Sequence, residues 1–279
     1  MGYQKACLVG FAVAFLSTAY AVDRNLPRPF REYPGIEYRM GSIPLPPDFG
    51  ERTEWAFARL AFPPGRLNGY AGRDNPEWWE GVSLWTQDFP RADRHFSEAV
   101  RRLTRVKVRS VEQVVNLDDG DEVYNWPWIY AVQVGEWGIT NDQARKLRDY
   151  LLRGGFFMAD DLHGTREWQE FEESMKRVFP DRPIVEIASE DAIFHTVYDL
   201  DERWQIVGHD HLGEGHKLDG FVPRWRGIYD DKGRVMVAIS FNSDIGDSWE
   251  WADSPEYPER YSALGVRLGV NYIVYAMTH

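Results

Sequence analysis

Asp160, Asp161 and His163 stand together in "RGGFFMADDLHGT" (153–165), directly after an apolar run of strand length. Two carboxylates and an imidazole at such a point can hold a divalent cation, act as a general base, or cap the helix that follows. In a doubly wound sheet, ligands bind beyond the carboxyl ends of the strands, and this triplet would occupy such an end. The free N–H groups of the next helix favour an anion there, which the two carboxylates oppose unless a cation or basic side chain intervenes. Acidic residues at such turns commonly bond their own loop. The expectation is therefore that Asp160 and Asp161 hold the loop, with a metal or general-base site as the alternative.

Two further stretches carry chemistry-bearing residues. In "GHDHLGEGH" (208–216), His209, His211 and His216 place three of the seven histidines within eight positions, beside Asp210 and Glu214. In an extended segment His209 and His211 share a side, and the glycines let His216 or Glu214 curl back, which suits zinc or a similar cation. No helical HExxH or CxxC accompanies them, and the plainer reading is exposed, pH-sensitive contacts. In "NSDIGDSWEWADSPEYPER" (242–260), Asp244, Asp247, Glu250 and Asp253 alternate with Trp249 and Trp251. Oxygen ligands so placed could hold Ca²⁺, but the spacing is not that of an EF-hand. A solvated acidic loop docking its tryptophans on a neighbour is favoured. Trp78 and Trp79, at the tip of a long Gly/Pro/Asn-rich loop, are candidates for the same kind of partner contact. No G-x-S-x-G, phosphate-binding loop or dinucleotide fingerprint occurs, and no spacing groups Ser, His and acid into a triad.

The elements that must position these residues follow from periodicity. "TEWAFARLAF" (53–62), "VEQVVNL" (111–117), "WPWIYAVQVG" (126–135) and "FFMAD" (156–160) read as strands. Between them lies a helix with Phe96, Ala99, Val100 and Leu103 on one face, and a second with Ala144, Leu147 and Leu151 inward. The second has a Thr140/Gln143 capping box and stops at Gly154 and Gly155. A third helix, capped by Thr165, turns Trp168, Phe171, Met175 and Val178 inward and ends at Pro180. Strand and helix thus alternate over 53–180, as in a parallel sheet with helices on both faces. "IYDDKGRVMVAI" (228–239) reads as a hairpin turning at Asp231, Lys232 and Gly233, and a helix from Tyr261 to about Met277 closes the chain.

Composition narrows the function classes. The chain is 43% hydrophobic and 27% charged, which is globular rather than disordered. A net charge of −12 argues against nucleic acid as a partner. Residues 6–22 are uncharged and follow Lys5. Ala19, Tyr20 and Ala21 resemble a cleavage site, so the segment is a signal peptide or a retained transmembrane anchor, roughly 25 Å long. Either places the rest on the exported, periplasmic side. Residues 23–52 are rich in Pro, Gly and charge and read as an extended linker or strap. Cys7, the single cysteine, lies inside the hydrophobic run, so the exported part has no thiol.

The stretches "AFARLAFPPG", "LRDYLLRGGFFMADDLHGT", "MKRVFPDR", "IFHTVYDL", "FNSDIGDSWEW" and "LGVNYIVYAMTH" together resemble an uncharacterised bacterial family of exported proteins. That family is grouped with class I glutamine amidotransferase-like and trehalose-utilisation-like domains. The resemblance spans about 53–279 and implies a flavodoxin-like α/β sandwich without implying an activity. In the catalytic relatives the strand matching "FFMAD" leads into a cysteine elbow. Here Asp160 to Gly164 hold no cysteine or serine, and the amidotransferase mechanism cannot run without its thiolate. The sequence reading is thus an α/β, flavodoxin-like three-layer sandwich at 53–279 with a mostly parallel sheet, a strap at 23–52 and a hydrophobic helix at 1–22. Its function is expected to be that of a non-catalytic accessory subunit of a membrane-associated, bioenergetic complex, without a cofactor. The alternative is a metal-dependent hydrolase or carbohydrate-binding domain.

Overall fold

Alternation along three central strands divides the interior in two. Phe57, Trp128, Tyr130, Phe156 and Met158 face one side, whereas Ala58, Leu60, Ile129, Ala131, Phe157 and Ala159 face the other. Such strands must be apolar on both faces, because helices cover both. The computed structural model describes residues 28–67 and 77–279. The elements in chain order are β1 (Ala58–Ala61), α1 (Arg91–Leu103), β2 (Gln113–Asn116), β3 (Trp128–Ala131), α2 (Asn141–Leu152), β4 (Phe156–Leu162) and α3 (Gly164–Val178). They continue with β5 (Val185–Glu186), β6 (Arg224–Tyr229), β7 (Val235–Phe241), α4 (Ile245–Glu250) and α5 (Glu259–Thr278).

The seven strands form one sheet in the order β2-β1-β3-β4-β7-β6-β5. The run from β2 to β7 is parallel, and β6 and β5 are added antiparallel. Helices α2 and α3 bury Leu147, Leu151, Phe171 and Met175 on one face. Helices α1, α4 and α5 bury Phe96, Trp249, Leu264 and Leu268 on the other. The architecture is therefore a mixed α/β sandwich of three layers.

Local signals explain most boundaries. Gln143 N donates to Thr140 Oγ1 at 3.1 Å, and Thr140 N donates to Gln143 Oε1 at 2.9 Å, completing the capping box of α2. Gly154 takes φ 108°, a left-handed stop after that helix. Three expectations are corrected. Paired β1 is only four residues long, and Trp55 makes an isolated bridge to Val108. Leu103 is exposed, because the inner face of α1 is turned toward Asp93, Phe96, Ser97 and Val100, with Asp93 buried against Arg59. Thr165 does not cap α3. The helix begins one residue earlier, and the Thr165 N–H and hydroxyl both donate to Asp219, a carboxylate supplied by a distant loop.

The described part of the strap, residues 28–52, has no helix or strand and follows the domain surface. Its backbone and side chains bond to it at Ile36 (to Thr86), Glu37 (from Asp88 N) and Ile43 (from Arg94). The expected hydrophobic helix at 1–22 lies outside the described residues. Among the described residues no helix is long and apolar enough to cross a membrane.

Candidate functional site

The carboxyl end of β4 meets the start of α4, and the side chains of Asp160, Tyr130, Asp161, His163, Glu167 and Lys217 converge there. Asp160 is fully buried on the α4 side of the sheet. Its Oδ2 accepts from Tyr130 Oη (2.9 Å), Ile245 N (2.9 Å) and Gly246 N (2.8 Å), so it caps α4 across space. Burial, then the neighbouring Asp161 charge, pushes its carboxyl up to about 7, and its Oδ1 is buried without a hydrogen-bond partner.

Asp161 turns the chain at φ 46°, a left-handed conformation that non-glycine residues adopt rarely, where the β4–β7 register shifts. Its Oδ1 accepts from Lys217 Nζ at 3.0 Å and lies 2.8 Å from His163 Nε2. Burial alone would raise this carboxyl. Lys217 and His163 outweigh burial and hold it well below the usual carboxylate range. Burial would likewise lower Lys217, but Asp161 and Glu167 keep it above the ordinary lysine value. His163 is lowered, chiefly by burial, and so is neutral at neutral pH. With its Nε2–H toward Asp161, the His163 Nδ1 lone pair is left buried and without a partner. Glu167, one turn into α3, accepts from His163 N at 2.6 Å, and burial pushes it up to about 7.

Beyond this corner the carboxylates continue. Asp244 accepts from Asp247 N at 3.0 Å as the cap of α4, and Asp247 accepts from His209 N at 2.6 Å. Glu250 accepts from the Tyr38 hydroxyl of the strap. Asp88, at φ 61° before α1, is buried, and its Oδ2 has no hydrogen-bond partner. Three sets of ligand atoms fall within 4.8 Å of one another: Asp161–His163–Asp244, Asp88–Asp244–Asp247 and Glu37–Asp88–Glu250. Burial first, and neighbouring carboxylates next, raise Asp88 and Asp244, and push Asp247 up to about 7. Like charges confined at this distance in a low-dielectric site require protons or cations between them.

A family profile described as a domain of unknown function, DUF4159, matches residues 81–277. The chain belongs to this family. No curated protein matches it. The DUF4159 match contains the whole cluster except Glu37, which the strap contributes.

Within this DUF4159 domain, Asp160, Asp161 and His163 are brought together, each with a different role. The histidine-rich stretch is not. Residues 209–211 form a single 3-10 turn rather than an extended segment, so His209 and His211 do not share a side. His209 stacks on Trp251 at 4.0 Å, and His216 packs edge-on against Phe221 at 4.3 Å. None of the three joins a ligand set among the described residues. The acidic loop is also corrected. It folds into α4, which turns Asp244, Asp247 and Glu250 inward and leaves Asp253 exposed against Arg91. Trp249 cannot contact a partner, because it is fully buried and stacked on Phe96 at 4.1 Å. Trp251 is half-buried between His209 and Arg91, Trp78 is half-buried on the core, and Trp79 is exposed.

Sequence reasoning missed Asp88, Lys217, Glu167, Tyr130 and Glu37. Lys217 had a local signal, a single lysine in the glycine-rich acidic run "GEGHKLDG". Asp88 had none, since only the fold brings residue 88 beside residue 244.

Proposed function

We propose that this domain is a non-catalytic accessory subunit, exported and held beside a membrane-protein complex through residues 6–22. The observation that carries the reading is the state of Asp161. It sits on the left-handed elbow where a nucleophile would stand, and inside the fold its charge is paired with Lys217 and hydrogen-bonded by His163. A buried, doubly engaged carboxylate is poorly disposed to attack a substrate or activate a water. The parallel strand order 2-1-3-4 supports the flavodoxin-like, amidotransferase-like grouping. The exposed loop residues Leu218, Phe221 and Val222, with Trp79, offer apolar surface for a protein partner. The test is mild-detergent extraction from the native membrane followed by affinity co-purification. A stoichiometric companion lost in Phe221→Asp supports the reading, and a monodisperse, companion-free monomer overturns it.

One observation favours a second reading, a metal-dependent hydrolase. His163 presents a buried lone pair at Nδ1, its ring oriented by Asp161 and with Asp244 in the same ligand set. Metal-dependent hydrolysis of activated esters or phosphoesters, abolished in His163→Ala, would establish it. The sugar-binding variant has less support, since Trp251 lies against His209, Trp249 is buried and, of the four candidate loop tryptophans, Trp79 alone stands exposed.

A further inference from the structure

The acidic cluster continues past the Asp161 corner to Asp88, Asp247, Glu250 and Glu37, which neither reading above uses. Asp88 belongs to two of the three ligand sets, so it links Asp244 and Asp247 to Glu250 and to Glu37 of the strap. Among the described residues no lysine or arginine is ion-paired with any of these five. Lys217 is engaged with Asp161, Arg59 with Asp93 and Arg91 with Asp253. Asp88 is 1% exposed, and its Oδ2 has no donor. A buried carboxylate oxygen without a partner is costly, and neighbouring carboxylates satisfy it only by taking up protons. What satisfies several carboxylate oxygens at once is a cation.

The carboxylate oxygens lie directly against glycine backbone. A Cβ on Gly246 would lie 2.3 Å from Asp88 Oδ2, and a Cβ on Gly208 would lie 2.6 Å from Asp244 Oδ2 and 2.8 Å from Asp247 Oδ2. Bare backbone therefore borders the carboxylates on two sides. The donor set is all oxygen, which selects hard cations over zinc. The one corner with a nitrogen ligand, at His163, already has the Lys217 ammonium on its Asp161.

We propose that Asp88, Asp244 and Asp247, closed by Glu37 of the strap and Glu250 of α4, bind one hard divalent cation of the Ca²⁺ or Mg²⁺ class, which fastens the strap to the domain. The proposal depends on neither functional reading. The strap already meets the cluster through Glu37 and through the Tyr38 hydroxyl on Glu250. A cation there links a segment outside the family match to the sheet edge.

The test uses the full-length protein, stripped with EDTA and titrated separately with Ca²⁺, Mg²⁺ and Zn²⁺ by calorimetry and thermal unfolding. Expected are one site for Ca²⁺ or Mg²⁺, a higher Tm, and slower tryptic cleavage at Arg39, an exposed strap residue. Asp88→Asn should lose the site. Glu37→Gln, at an exposed position that leaves the core intact, should weaken it by roughly tenfold and restore cleavage at Arg39. The arms with Ca²⁺ and Mg²⁺ decide which ion fits. Absence of binding up to millimolar Ca²⁺ and Mg²⁺ overturns the proposal. So does binding of Zn²⁺ alone that survives Asp88→Asn and is lost in His163→Ala.

Discussion

Strand β4 begins and ends in turns of opposite construction. At its amino end the chain stops α2 at Gly154, where a left-handed backbone costs least, and enters the strand at Gly155 against the Tyr150 ring. Arg234 crosses from the β6–β7 turn and donates to the carbonyls of Leu151, Gly154 and Gly155 at 2.9 to 3.2 Å. Tyr150 Oη lies 2.9 Å from the Trp126 carbonyl and 3.2 Å from that of Phe156. At the carboxyl end the left-handed residue is Asp161, not glycine, and two adjacent carboxylates are buried with polar atoms left over. One turn follows the local rules for stopping a helix. The other departs from them, and such departures concentrate where a protein binds or reacts.

The largest expected effect breaks the carboxyl end. Asp161→Asn keeps a residue that tolerates left-handed backbone, so it isolates the charge. The substitution leaves the Lys217 ammonium, its side chain only 19% exposed, without its carboxylate. Urea unfolding should show a loss of about 3 kcal/mol, the scale for one partner removed from a buried ion pair. Asp161→Asn/Lys217→Met should recover at least half of it. A double variant no more stable than the single one would mean that the elbow, not the charge pair, sets the cost.

The second prediction concerns protons at the same end. The Asp160 carboxyl is raised from an ordinary value of 3.8 to about 7 in the fold. Between those values the folded state holds a proton that the unfolded chain has released. This contribution is therefore fully present below about pH 4 and is lost as pH rises through 7. Asp160→Asn is neutral throughout and lacks the dependence. In EDTA, the variant should gain on the wild type steadily as pH rises from 4 toward 7 and no further above it. Parallel stability curves for the two proteins across that range would show that Asp160 is ionised in the fold.

The same contrast explains what could be read in advance. The capping box at Thr140, the glycine stop and the continuous apolar runs that become the fully buried β3 and β4 are local rules, and each was legible from a few neighbouring residues. The triplet at 160–163 was legible as a position on the sheet edge. Its internal division was not, because the partners that set it are distant in sequence: Tyr130 and Ile245 for Asp160, and Lys217 for Asp161. The histidine run misled for a related reason. It assumed an extended segment, whereas the main-chain bond from His211 N to the Gly208 carbonyl winds it into a turn. The acidic stretch at 244–253 misled because α4 is short, and its inward face is set by Asp160 and Asp244 at its start rather than by periodicity.

The smallest effect sharpens the amino end. Tyr150 is fully buried, and burial moves its hydroxyl well above the ordinary tyrosine value, so it is neutral at every working pH. Tyr150→Phe deletes one hydroxyl and leaves the ring packed beside Gly155. The Phe156 N–H keeps its main-chain bond to the Pro127 carbonyl at 3.0 Å, so only carbonyl acceptors lose a donor. The expected cost is about 1 kcal/mol, the usual net worth of one buried hydrogen bond between neutral groups. It should not change between pH 5 and pH 8, and it should add to that of Asp161→Asn, because the two lie at opposite ends of a seven-residue strand. A Tyr150→Phe cost that varied with pH over this range, or coupled to Asp161→Asn by more than about 0.5 kcal/mol, would show that the two ends of β4 are not independent.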